Sequence, residues 1–369
     1  MFRRVVILAA AALAVPAFAV NAAIPETSAL VSGATYIKSI QNADGAYGTS
    51  DFGQNIDAVF AVRAAGYDPA KDLAGGKGPV QFLAAGAAGA TSPAAAAKAA
   101  LGVTALGLDP RAFGGVDLID RVNSGYDAAK GTYGSDDFSQ SVAMLGLACT
   151  EHVVPPAAAT ALKSTQMADV GAWGFGGIAD PDTTAIAIQA LLASGTAKSD
   201  PAVVKALDYL KTSQGNDGGW GFDPSESNAS STAYVIQALI ALGENPEAAA
   251  YEKAGVNPVE FLVSQQQADG SFKGFDVAYA TNQALPALAG RTFCNAPETP
   301  ITRTRAASSP TPAASPTPRP ATPPAVAPKP PSTGTGAGTG DGADPVFYAA
   351  VVLLLGSAST LVAVRLKRR

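Results

Sequence analysis

Two aspartates stand one residue apart in the run Asp180-Pro181-Asp182-Thr183-Thr184-Ala185, where an apolar stretch begins. Carboxyls set together with hydrogen-bond partners in a dry pocket make a general acid, so Asp182, with Asp180 beside it, is the sharpest catalytic candidate. The same residues also suit a helix start. Asp180 is a natural N-cap, Pro181 fits the first helical position, and Asp182 in the first turn complements the helix dipole. Asp136-Asp137-Phe138, beside Tyr133, is a second acidic pair at a helix start, and Asp51 with Asp57 a third. Together they predict an acidic mouth, either a solvated rim or a ligand site. Trp173, Phe175, Trp220, Phe222, Phe272 and Phe275 could line a cavity whose ring faces steady a cation, or could pack neighbouring units together. Metal chemistry finds no support, because the only histidine, His152, has just Cys149 and Glu151 nearby and zinc needs three or four ligands. No serine triad and no phosphate-cradling glycine loop is evident, and no cofactor is expected.

The elements that must position these residues repeat. Gln, then Asp three residues later, then an aromatic recurs at Gln41-Asn42-Ala43-Asp44-Gly45-Ala46-Tyr47, at Gln166 with Asp169 and Trp173, at Gln214-Gly215-Asn216-Asp217-Gly218-Gly219-Trp220, and at Gln266 with Asp269 and Phe272. A weaker copy is Gly131-Thr132-Tyr133-Gly134, and the gap between Asp44 and Gly131 leaves room for a degenerate one near Phe82 to Leu106. About six units of roughly 40 to 52 residues are the mark of a repeat architecture. Each clear unit carries an amphipathic helix, such as Val203, Ala206, Leu207 and Leu210 opposite Lys205, Asp208 and Lys211. An apolar helix follows, such as Thr232 to Leu242 closed by Gly243. A helix that is apolar all round must be covered on every side. Two concentric rings with the amphipathic set outside satisfy this, and the expected fold is an all-α (α/α)6 toroid over residues 28–293.

The Gln-x-x-Asp-Gly-Gly-Trp-Gly turn, fullest in 214–221, resembles the repeat of the squalene/hopene cyclases and protein prenyltransferase β-subunits, the terpenoid-cyclase toroid superfamily. The resemblance implies that Gln214 with Trp220, and Gln41 with Tyr47, tie helix ends to turns. Asp180-Pro181-Asp182-Thr183-Thr184-Ala185 is similar to the Asp-x-Asp-Asp-Thr-Ala motif of squalene-hopene cyclases, whose middle Asp protonates the polyene; Asp182 takes that place, and Thr183 replaces the last Asp. The prenyltransferases' zinc set has no counterpart. The resemblance also extends to secreted cobalamin binders, so a corrinoid is one ligand it admits.

The ends differ from the middle. Residues 1–19 have a basic start, an apolar run and Ala17-Phe18-Ala19, the pattern of a secretory signal peptide. Residues 298–345 hold 12 of the 27 prolines, with Ser, Thr and Gly, and read as an extended, disordered stalk. Residues 346–364 carry no charge and precede the basic tail 365–369, as expected of a transmembrane helix with a cytoplasmic tail. Pro330-Pro331-Ser332-Thr333-Gly334 resembles a sortase signal, with Pro330 in place of its Leu. Without these ends the core has 15 basic and 28 acidic residues, near −13 against −5 for the chain, which disfavours nucleic acid as a partner. Cys149 and Cys294 lie in the exported part, and their pairing stays open.

Three functions remain. The expected one is a surface-anchored toroid that binds an apolar ligand or an extracellular protein without chemistry, with Trp173, Phe175, Trp220, Phe222, Asp136 and Asp137 as ligand contacts. The alternatives are a cyclase-like enzyme protonating an isoprenoid through Asp182, and a structural or adhesive module. The ring's centre discriminates them: a large apolar cavity facing Asp180 and Asp182 favours the enzyme, a filled one does not.

Overall fold

A computed structural model describes residues 27–295 except Pro224. The expected signal peptide, stalk, membrane span and basic tail lie outside the described residues. Among the described residues no helix is long and apolar enough to cross a membrane.

Six helices form the inner layer: α2 (Phe52–Ala64), α4 (Pro93–Ala105), α6 (Asp137–Cys149), α8 (Pro181–Ala193), α10 (Ala229–Leu242) and α12 (Val277–Leu288). Each starts at a short polar residue whose side chain accepts the backbone N–H three positions on, namely Asp51, Ser92, Asp136, Asp180, Asn228 and Asp276. A second set alternates with them on the outside: α1 (Thr27–Ser39), α3 (Pro79–Gly86), α5 (Leu118–Ser124), α7 (Pro156–Ser164), α9 (Pro201–Thr212) and α11 (Pro258–Ser264). In α9 only the face of Ala202, Val203, Ala206 and Leu210 is buried, whereas α10 is buried along nearly its whole length. That is the division of labour their patterns require.

The ring closes. Each inner helix packs on the next, and α12 packs back on α2. Gln54 Nε2 donates to Asp276 Oδ2 at 2.8 Å, and Asn282 Nδ2 to the Gln54 carbonyl at 3.2 Å across this seam. The repeated glutamines perform the same closure on the outside. Gln166 Nε2 donates to the Gly171 carbonyl of its own turn and to the Ala202 carbonyl of the next unit, and Gln214 likewise reaches Gly218 and Tyr251. Gln266, in the last unit, reaches Gly270 and then Ala29 in the first. Gly270 is fixed by this contact: its φ is +92°, and a Cβ there would stand 2.4 Å from the Ser32 carbonyl oxygen. A two-stranded hairpin, β1 (Gly174–Phe175) with β2 (Ile178–Ala179), projects before α8.

Cys149, the last residue of α6, is disulfide-bonded to Cys294, six residues beyond the end of α12. In the order of the ring α6 faces α12, so the chain after α12 crosses to the opposite wall.

Candidate functional site

The acid motif sits where α6, α8 and α10 begin. Asp180 is 4% exposed and caps α8 through the Thr183 amide, with Thr183 N to Oδ1 at 2.7 Å. Burial pushes its carboxyl up to about 6, the Thr183 bonds oppose this, and the Asp137 charge adds to it. Asp182, in the first turn, is partly exposed as a residue, but its Oδ1 is sealed from solvent and has no hydrogen-bond partner. Burial, and then the Asp180 charge, push it up to about 7, while a hydrogen bond with the Ser231 side chain of α10 works against them. Asp137 belongs to the same patch: burial raises it, and the Thr165 hydroxyl donating at 2.6 Å opposes. The structure thus brings together Asp137, Asp180 and Asp182. Asp136 is instead turned back to cap α6, accepting from Ser139 N at 2.8 Å.

The aromatic set divides. Trp173 and Trp220 are completely buried between units, each indole N–H donating at 2.7 Å to the end of an outer helix, at the Leu162 and Leu210 carbonyls. Their backbone N–H groups donate to Thr184 and Thr232 of the following inner helix. Phe272 is buried in the equivalent turn. Phe175, Phe222 and Phe275 face outward, Phe275 at 93% exposure. None of the six is among the residues lining the axial cavity.

The residues at the ring axis are mostly ones the sequence did not single out. Tyr234 of α10 and Tyr279 of α12 share a hydrogen bond at 2.7 Å, and Tyr234 meets Phe138 of α6 edge-on at 6.5 Å between ring centroids. Phe293, past the last helix, lies between Phe60 of α2 (5.9 Å, edge-on) and Tyr234 (6.4 Å, stacked). Beside them is a cavity of about 10 Å³ between α2, α10 and α12, lined by Asp57, Gln237, Asn282, Gln283, Phe293 and their neighbours. That is about the least that holds one water.

Asp57 requires a correction. The sequence places it with Asp51 at the rim, but it lies a turn and a half inside α2, buried, in an ion pair with Lys98 of α4 at 2.8 Å. Burial raises its carboxyl, and Lys98 and a Gln283 hydrogen bond oppose that. The available signal is a charge in the middle of each of two largely apolar helices, since a buried charge must be paired. Phe293 offered no such signal. Among the described residues no group of three or more His, Cys, Asp or Glu is placed to hold a metal ion.

Comparison with known proteins agrees with this geometry. Residues 136–288 match the family of the squalene-hopene cyclase C-terminal domain. The squalene–hopene cyclase of Zymomonas mobilis is 29% identical over 145 residues, covering 36% of this chain and 21% of that enzyme. That of Bradyrhizobium diazoefficiens is 34% identical over 93 residues, 22% of this chain and 13% of the enzyme. The matched region therefore spans about a fifth or less of those curated relatives. Among solved structures, the type II terpene cyclase MstE from Scytonema superposes with a TM-score of 0.52 at 13% identity, over 71% of this chain and 97% of that one. A protein from Actinoplanes does so at 0.52 and 16% identity, over 71% and 98%. The described domain has the toroid fold of the terpenoid cyclase superfamily.

Proposed function

We propose that this toroid is a binding module of the cell surface, built on a cyclase-type ring that no longer encloses a reaction chamber. The observation that carries this reading is the occupied axis. Pockets for drug-sized ligands run to about 300–1,000 Å³, whereas the axial cavity is about 10 Å³ with Phe293 wedged over it. With Phe293 in place and the disulfide closed, an isoprenoid chain long enough to cyclise has nowhere to lie at this axis. The acid chemistry points the same way. Protonating an alkene requires a strong acid, and a carboxyl raised to about 7 is protonated near neutrality but weak. The missing carboxyl at Thr183 removes one group that would otherwise assist.

The Cys149–Cys294 disulfide suits an oxidising, extracytoplasmic setting, in keeping with the signal-like residues 1–19. The occupant of the module is then an apolar ligand or an extracellular protein, held away from the membrane by the Pro-rich segment. The rival reading, a cyclase acting through Asp182, is tested by incubating the full chain with squalene and with geranylgeranyl dihydroxybenzoate, the substrate seen with MstE. No cyclised product is expected by mass spectrometry. A product that disappears in Asp182→Asn would overturn the binding reading.

A further inference from the structure

Residues 290–295 leave the wall of the ring and cross its axis. Arg291 and Thr292 are buried, the Thr292 amide donates to Asn295 Oδ1 at 2.6 Å, and Phe293 lies between Phe60 and Tyr234. Cys294 then bonds to Cys149 on the opposite wall. This stretch has no counterpart in the repeat, and it occupies the volume that the closed ring would otherwise leave open.

What lies beneath it is not finished as a core should be. Gln189 of α8 and Gln237 of α10 each stand nine residues after the cap of their helix, so they share one level of two adjacent inner helices. Both are almost completely buried, Gln237 at 1% exposure. Neither amide atom of Gln189 has a hydrogen-bond partner, and the Nε2 of Gln237 has none. A buried polar atom left unsatisfied costs about 1–3 kcal/mol, and native structures hold few of them. Phe60 stands at the same level of α2, and Asp57, Asn282 and Gln283 line the adjoining cavity.

We propose that residues 290–295 are a plug over a binding site at the ring axis, and that the Cys149–Cys294 disulfide is its latch, opened by a dithiol reductant. The ligand class follows from what the plug imitates. An aromatic body replaces the Phe293 ring between Phe60 and Tyr234, and a polar head with both donor and acceptor atoms meets the free amide of Gln189 and the free Nε2 of Gln237. Cys294 is the exposed member of the pair and the point of attack. One thiolate of the dithiol attacks Sγ of Cys294, forming a mixed disulfide and releasing Cys149 as a thiolate that takes a proton. The second thiol of the reagent then displaces Cys294 and becomes half of an internal disulfide. Two electrons and two protons pass to the cysteines, and the dithiol leaves oxidised. The inference rests on the reading of the ring as a binder, but cyclase activity would appear as a new product and would leave the measurement below unaffected.

The test uses the full chain, 1-aminoanthracene as a fluorescent aromatic probe with a polar head, and dithiothreitol as the dithiol. Thiol titration counts opened cysteines, and far-ultraviolet circular dichroism follows the helices. The oxidised chain is expected to enhance probe emission little. After reduction, with two thiols titrating and the helical signal kept, emission rises at least about tenfold, Cys294→Ser shows the same rise without reductant, and Gln237→Leu removes most of it. Unchanged emission in a folded, reduced chain overturns the proposal, as does an equal rise in Gln237→Leu. Collapse of the helical signal on reduction refutes the latch. In that case Phe293→Ala with the disulfide intact decides the site: probe emission that Gln237→Leu abolishes supports it, and no emission rejects it.

Discussion

Where the inner helices begin, a polar cap serves six times, and in five units a buried aromatic in the preceding turn has its backbone amide held by the inner helix. Where they end, the construction is used once, by residues 290–295 reaching from α12 to α6. The first end resembles a frame in which each unit braces the next. The second resembles a stopper whose loss leaves the frame standing. The contrast implies that stability resides mainly in the repeated end, and that the closed state of the axis depends on the single-copy end.

The largest effect should come from the frame. Trp173→Ala and Trp220→Ala each remove a fully buried indole and its bond to an outer helix, and each is expected to cost about 3–5 kcal/mol in guanidinium unfolding. Phe275→Ala, on an outward-facing neighbour, should stay within about 0.5 kcal/mol. A comparable loss at Phe275 would mean that this rim is covered in solution, and the comparison of the two ends would have to be redrawn. Next comes the stopper. The Cys149→Ser, Cys294→Ser double variant opens a loop of 145 residues in separation and should lose about 2–5 kcal/mol while keeping its helical signal at 25 °C. Failure to fold would make the single-copy end part of the frame.

Caps give a smaller and more graded signal. Asp180→Ala removes one cap bond and should cost about 1 kcal/mol. Asp276→Ala removes a cap bond and also the Gln54 contact that joins α12 to α2, so it should cost more. Equal losses at the two sites would show that the seam between last and first units carries no strength of its own.

The same contrast explains what the sequence could reveal. Trp173, Trp220 and the glutamines before them were legible because the motif recurs, and each recurrence supplies the bonds its neighbour needs. Unit three hides the pattern. There Gln140, on the inner helix, reaches the Gly131 and Ala158 carbonyls and so performs the bracing that a glutamine just past an outer helix performs elsewhere. The Asp57–Lys98 pair joins residues 41 apart in two helices that read as apolar, and only their juxtaposition in the ring makes sense of both charges. Phe293 and the Cys149–Cys294 bond lie outside the repeat, so periodicity carries no information about them. Asp180 and Asp182 were found, but their spacing serves a cap and an acid equally well, and their neighbours across α6 and α10 appear only in three dimensions.

Asp182 provides the finest test, because it stands at the repeated end without being part of what repeats: the equivalent position in α10 is Ser230. Burial and the Asp180 charge hold its carboxyl at about 7, above the ordinary 3.8. Between about pH 4 and 7 the folded chain therefore keeps a proton that the unfolded chain has released. Stability from this group is greatest at the acid end of that window and falls as pH rises through it, reaching its full penalty above pH 7. Asp182→Asn removes the penalty. Its melting temperature should match the parent's near pH 4 and exceed it at pH 8 by on the order of 2–4 °C, the shift that about 1 kcal/mol produces in a domain of this size. A parent and variant that melt together at both pH values would mean that the carboxyl is ionised in the folded ring without cost. Asp182 would then be an ordinary first-turn acid facing a helix dipole, and the ring would retain nothing of an acid site.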